Sequence, residues 1–293
     1  MGIAPTDVFA LIGGSGADIL LQQHSHDVKR LGPVPTPFGL SGTLYRVRIG
    51  DARFLFLPRH GEMGYEIAAP WVNYRANIYA LKEHGISRIL AWSGPGALDN
   101  SLNIGDYVLP SDIIDDTRGR ETSFYKGTGL GFIRSQPVFC PDLHDAAVVI
   151  FSRLRIPYRP EGVYVCTQGP RLETQAEVRR YRDWRAHLIG MTLAPEAFLA
   201  RELEMCYHPI CYVTSYAEGV KQRTVAPGEL LAGMVEQAER EATAQAVERL
   251  FEVASALFRA LPDDRQCPCG LAMESCRREG RIGEDWHTWI GKQ

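Results

Sequence analysis

The sequence predicts a single α/β domain with a central mixed β-sheet flanked by helices, and three observations carry that expectation. Strand-like and helix-like stretches alternate along the chain with short connections between them. Neither an internal repeat nor a low-complexity linker divides it. Apolar residues make up 45% and charged residues 23% of 293 positions. A chain of that size buries roughly three quarters of its unfolded surface in one core and needs no disulfide or metal staple. The expected organisation is a domain over residues 1–261, followed by a charged, Cys- and Trp-bearing tail over 262–293. Trp286, Trp289 and Ile290 are the apolar spots through which that tail would dock.

The elements follow in order. Residues 8–12 read as a buried strand closed by Gly13-Gly14-Ser15-Gly16. Residues 44–49 alternate, and Gly50-Asp51 is a hairpin signal leading into 54–57. A helix is predicted over 73–84, stopped by Gly85, with the next strand at 89–92. Further strands are expected at 107–109, 162–166 and 210–214, and helices at 177–184 and 195–203. From 230 to 261 the apolar residues keep a helical spacing, which predicts one long helix.

The charge balance excludes some functions. A net charge of -3 argues against a broad phosphate-backbone footprint, so nucleic acid is not expected as a partner. No apolar run reaches the roughly 18 residues of a membrane-spanning helix. Residues 1–7 lack a basic flank and a cleavage pattern, so a cytoplasmic protein is expected. Seven cysteines are present. Cys140, Cys166, Cys206 and Cys211 sit in apolar contexts and read as buried small hydrophobes. Cys267-Pro268-Cys269 with Cys276 could bind metal, form a disulfide or pack as reduced thiols. Three ligands without an obvious fourth make a weak zinc site, so reduced packing is the expectation and no metal is assigned.

Several segments hold groups suited to a small anionic or polar ligand. Gly13-Gly14-Ser15-Gly16 allows backbone N–H groups to approach an anion and adds a hydroxyl. Arg59-His60-Gly61 offers a planar fork, suited to bidentate phosphate contact, beside an imidazole. Ser93-Gly94 adds another hydroxyl and N–H at a strand end. Gln168-Gly169-Pro170-Arg171-Leu172-Glu173-Thr174 and Gly190-Met191-Thr192-Leu193-Ala194-Pro195-Glu196 set an anion-binding turn near a thioether and a hydroxyl. Taken singly, each is an ordinary turn. The glycine run matches neither a dinucleotide fingerprint nor a P-loop.

Together and in this order, these segments resemble the trimeric nucleoside phosphorylases, meaning the purine nucleoside and 5'-methylthioadenosine phosphorylases, from about residue 12 to about residue 231. The resemblance implies a phosphate site at Ser15, Arg59, His60, Ser93, Gly94 and Thr192. It implies base and sugar contacts at Leu172, Glu173, Met191, Ser215 and Ala217. Ser215 and His60 are implied as the catalytic positions, with Ser215 acting at purine N7. Many members carry another His after Arg-His-Gly, where this chain has Gly64-Tyr65. Glu173 matches the acceptor that 6-oxopurine enzymes direct at N1–H. Ser215 replaces the Asp of adenine-type or the Asn of oxopurine-type members, and Ala217 replaces a second Asp. Pro227 stands where ordinary purine nucleoside phosphorylases hold the 5'-hydroxyl with a His. With Leu230, Leu231 and a neighbouring subunit's Phe132, it would line an apolar pocket for a 5'-methylthio group.

The resemblance therefore implies phosphorolysis of a purine 5'-methylthioribonucleoside to free purine and 5-methylthioribose 1-phosphate. Phosphate is a cosubstrate, no cofactor is needed, and a homotrimer is implied. A 6-oxopurine nucleoside phosphorylase acting on 5'-methylthioinosine or inosine is the alternative supported by Glu173. A non-catalytic nucleoside-binding protein on the same fold is the alternative supported by Ser215 and Ala217. A hydrolase or dehydrogenase on a doubly wound fold lacks its fingerprint.

Overall fold

The run Arg88-Ile89-Leu90-Ala91-Trp92-Ser93 is buried along its whole length, the signature of a parallel-sheet strand covered on both faces. A computed structural model describes residues 9–16, 21, 27–222, 236–262 and 264–290, and in it this strand is central. In chain order the strands are β1 (Phe9–Gly13), β2 (Val28–Gly32), β3 (Pro35–Thr36), β4 (Gly39–Leu40), β5 (Leu44–Ile49), β6 (Ala52–Pro58), β7 (Arg88–Ser93) and β8 (Gly96–Ala97). They continue with β9 (Tyr107–Val108), β10 (Asp112–Asp116), β11 (Tyr158–Arg159), β12 (Val163–Thr167), β13 (Leu188–Gly190), β14 (Cys206–Tyr212) and β15 (Ser215–Tyr216). The helices are α1 (Tyr74–Glu83), α2 (Pro141–Arg153), α3 (Gln175–Asp183), α4 (Leu193–Glu202), α5 (Gln237–Glu248), α6 (Leu250–Ala260) and α7 (Glu274–Arg278).

An eight-stranded sheet runs β11-β9-β14-β7-β1-β6-β5-β2, and a five-stranded sheet runs β10-β12-β13-β8-β15. β1 lies parallel to β6 and β7, and β14 parallel to β7, while β5 pairs antiparallel with β6. The mixed α/β class is as expected, with the strands divided among these two sheets and the two-stranded β3-β4 pair. Alternation along the strands sends side chains to two cores. Ile12, Leu55, Leu57, Ile89 and Ala91 face α1, α4 and the smaller sheet. Leu11, Phe54, Phe56, Leu90 and Trp92 face α2 and α6.

Local signals explain the element ends. Gly50-Asp51 turns β5 into β6 with Ile49 opposite Ala52. Asn73 caps α1, its Oδ1 accepting from the Ala76 amide at 3.2 Å. Thr174 and Glu177 form a capping box on α3, which therefore starts at Gln175, ahead of the expected 177. The expected 230–261 helix is two helices that meet at Arg249; residues 223–235 lie outside the described residues. The division suits two tasks: α6 lays Phe251 and Phe258 on Phe54, whereas α5 walls a cavity described below. Sequence periodicity missed α2, β10 and β13: β10 is Asp-rich, and β13 is only three residues long.

The C-terminal segment packs along the rest of the fold. Met273, Cys276 and Trp289 are buried in the first core. Arg277 pairs with Glu204 at 2.9 Å, and the Trp286 ring meets Tyr79 at 5.0 Å. Among the described residues no helix is long and apolar enough to cross a membrane.

Candidate active site

Parallel strands deliver their carboxyl ends to one edge of the sheet, where ligands bind in open α/β folds. The turn after β1 presents Gly14, Ser15 and Gly16. A Cβ on Gly14 would stand 2.7 Å from the Trp92 carbonyl oxygen, so only glycine lets this turn lie against β7. The end of β6 presents Arg59 and His60, and β7 delivers Ser93 and Gly94. A Cβ on Gly94 would meet Thr214 Cγ2 at 2.6 Å. β13 leads to Met191 and Thr192, and β14 to Thr214 and Ser215.

These ends surround one cavity of about 650 Å³. Ser15, Arg59, His60, Ser93, Gly94, Leu172, Glu173, Met191, Thr192, Ser215 and Ala217 all line it. Phe132 does not: it is 98% exposed on its loop. Pro227, Leu230 and Leu231 lie outside the described residues.

Arg59 is held by a partner from a distant helix. Its Nε and Nη2 donate to the two Glu196 carboxylate oxygens at 2.9 and 2.6 Å, so its fork is already filled. Nη1 lies 3.2 Å from the Trp92 carbonyl and 3.5 Å from Thr192 Oγ1. Both side chains of the pair are fully buried. Burial opposes the guanidinium charge, but Glu196 more than offsets it and raises the Arg59 pKa. The Tyr207 hydroxyl donates to Glu196 at 2.7 Å, completing the shell.

His60 is equally constrained. Its Nδ1 lies 2.8 Å from the Ile67 carbonyl oxygen, which can only accept, so Nδ1 carries the proton. Burial, with the nearby Arg59 charge, pushes the ring down to about 4, and it is neutral near pH 7. Tyr65 covers the ring with centroids 4.4 Å apart. With Arg59 paired to Glu196 and His60 neutral, hydroxyls and backbone amides are the other donors on this wall. Ser93 Oγ and Thr192 Oγ1 stand 3.4 Å apart on that wall.

Opposite them, Thr167 Oγ1 donates to Glu173 Oε1 at 2.5 Å. Burial raises the Glu173 pKa, and the Thr167 donor partly counters it. Ser215 is half-buried in β15, in register with Gly96. Arg120 ties the two halves of this wall together. Its guanidinium donates to the carbonyls of Gln168, Met191 and Ala194, each at 2.7 Å, and to Thr167 at 3.1 Å. Sequence reasoning missed Arg120, Thr167, Glu196 and Tyr207 because they support ligand-facing residues from other elements. The Glu in Ala194-Pro195-Glu196 was visible, but not its partner. α5 closes the cavity with Arg240, Thr243 and Val247.

The Phosphorylase superfamily profile matches residues 8–259. The chain belongs to this superfamily. Among its relatives, the 6-oxopurine nucleoside phosphorylase of Pyrococcus furiosus is 36% identical over 90% of this chain and 97% of that protein. The S-methyl-5'-thioadenosine phosphorylase of Thermofilum pendens is 35% identical over 90% of this chain and 96% of that one. A crystal structure of methylthioadenosine phosphorylase from an Antarctic soil metagenomic library superposes with a TM-score of 0.78. It is 28% identical and covers 92% of this chain and 91% of its own. The Phosphorylase superfamily chain described here thus has relatives named for both 6-amino and 6-oxo purines.

Proposed function

We propose that this protein cleaves a purine 5'-methylthioribonucleoside with phosphate, giving free purine and 5-methylthioribose 1-phosphate. The observation that carries the reading is the convergence of phosphate-type and base-type residues on one cavity of about 650 Å³. Phosphate rests on Ser15, Ser93, Thr192 and the amides of Gly14 and Gly94, with Nη1 of Arg59 alongside. Neutral His60 offers Nε2 as an acceptor, which suits the P–OH of a monoprotonated phosphate. A phosphate oxygen bonds to the anomeric carbon as the glycosidic C–N bond breaks, and the cationic sugar is stabilised by the adjacent anion. The departing purine takes its electron pair and is eased away by hydrogen bonding from Ser215 to N7. No cofactor enters this scheme.

A second reading rests on Glu173. Held by Thr167, its ionised form accepts, and so favours the N1–H of a 6-oxopurine such as 5'-methylthioinosine over the N1 acceptor of adenine. The assembly we propose is a homotrimer in which Phe132, 98% exposed in one protomer, closes a neighbour's sugar pocket. The deciding experiment measures base release from 5'-methylthioadenosine and 5'-methylthioinosine with and without phosphate. Release that requires phosphate supports the reaction. Bound nucleoside without release in phosphate overturns it in favour of a binding protein.

A further inference from the structure

The sequence singled out Cys267, Cys269 and Cys276, but the fold assembles a different set. Cys140, Cys206, Cys267 and Cys269 bring four sulfurs within 4.8 Å of one another, whereas Cys276 packs elsewhere, in the first core. The correction has a topological cause. β14 begins at Cys206, and Cys140 directly precedes α2, its amide donating to the Tyr207 carbonyl at 2.8 Å. The C-terminal segment then crosses both. Asp142 receives the amides of Gln266 and Cys267 at 2.9 and 3.1 Å, which anchors the Cys-Pro-Cys turn over the other two thiols.

We propose that these four cysteines form a structural tetrahedral zinc site that fastens the C-terminal segment to the phosphorylase fold. Zn–S bonds of about 2.3 Å place tetrahedral sulfurs about 3.8 Å apart. The cluster matches that size: Cys206 and Cys267 sulfurs are 3.3 Å apart and every pair lies within 4.8 Å. Four protein thiolates close the coordination sphere, and soft sulfur ligands in tetrahedral geometry select zinc over hard cations. Three of the four residues are buried and the fourth is half-buried, so the site is shielded from bulk water.

Cys140 stands at the N-terminus of the 13-residue helix α2 and makes no side-chain cap bond, which leaves its sulfur to be stabilised by the helix dipole. On binding, Zn²⁺ displaces the thiol protons to solvent without any change in oxidation state. None of the four sulfurs borders the ligand cavity, so the site holds structure and does not touch substrate.

The experiment is metal analysis of the intact purified protein, expressed with zinc in the medium and handled without chelators. One zinc per chain is expected, with seven thiols reactive after denaturation in chelator. Cobalt(II) added to the metal-stripped protein is expected to give tetrahedral thiolate absorption bands. The double variant Cys267→Ser/Cys269→Ser should lose the zinc while keeping phosphorolysis at low temperature, and Cys276→Ser should retain it. Only three reactive thiols would mean two disulfides and overturn the proposal. Metal-free protein with seven reactive thiols, or stoichiometric iron in place of zinc, would overturn it equally.

Discussion

Replacing Glu173 by Gln tests the base reading at a single atom. Thr167 Oγ1 is 2.5 Å from Glu173 Oε1 and donates to it. In the Gln variant the same donor would claim the amide oxygen and turn the NH₂ toward the base. An acceptor thus becomes a donor without a change of shape. A 6-oxopurine loses a charge-assisted hydrogen bond of about 1.5–3 kcal/mol, or roughly tenfold to a hundredfold in kcat/KM. A 6-aminopurine gains a partner for its N1, so the amino-to-oxo ratio should rise by about a hundredfold. Burial already raises the Glu173 pKa, and a protonated carboxyl is itself a donor. The wild-type ratio should therefore rise as pH falls through that pKa, and the Gln variant should lose this dependence. The assay is kcat/KM for 5'-methylthioadenosine and 5'-methylthioinosine across pH at saturating phosphate. Equal losses on both substrates, with a flat wild-type ratio, would refute the assignment of Glu173 to the base.

Two further outcomes follow from buried charges. Glu196→Ala leaves the fully buried Arg59 uncompensated and should cost about 3–5 kcal/mol in urea unfolding; an unchanged midpoint would sink the pairing argument. Burial raises the Glu202 carboxyl to about 7, with the Phe124 amide donor only partly opposing it. The folded state then keeps a proton that the unfolded chain releases, so stability should fall as pH rises from about 4.5 through about 7. That loss amounts to at most about 3 kcal/mol, and Glu202→Gln should abolish it while matching wild type at low pH. Thermal midpoints of the two proteins that run parallel across that range would contradict it.

The local code of the chain accounts for much of what is seen. Continuous apolar runs specified β1 and β7, a two-residue turn specified the β5–β6 hairpin, and a side-chain cap with a terminal glycine bounded α1. Strand-end glycines, hydroxyls and the Arg-His pair were legible because each uses residues adjacent in sequence. Periodicity failed where burial is not periodic, as in the Asp-rich β10 and the three-residue β13.

Short-range pattern by itself determined the α/β class, and the family resemblance singled out eleven of the residues that face the cavity. Tertiary structure alone decided what those residues are free to do. Glu196 fills the fork of Arg59 from 137 positions away, and Thr167 orients Glu173. Arg120 binds two distant turns into one wall, and Cys140 and Cys206 meet Cys267 and Cys269. Each pairing depends on which elements the fold brings side by side. Strand order is set by the packing of the whole chain, and no local period encodes it.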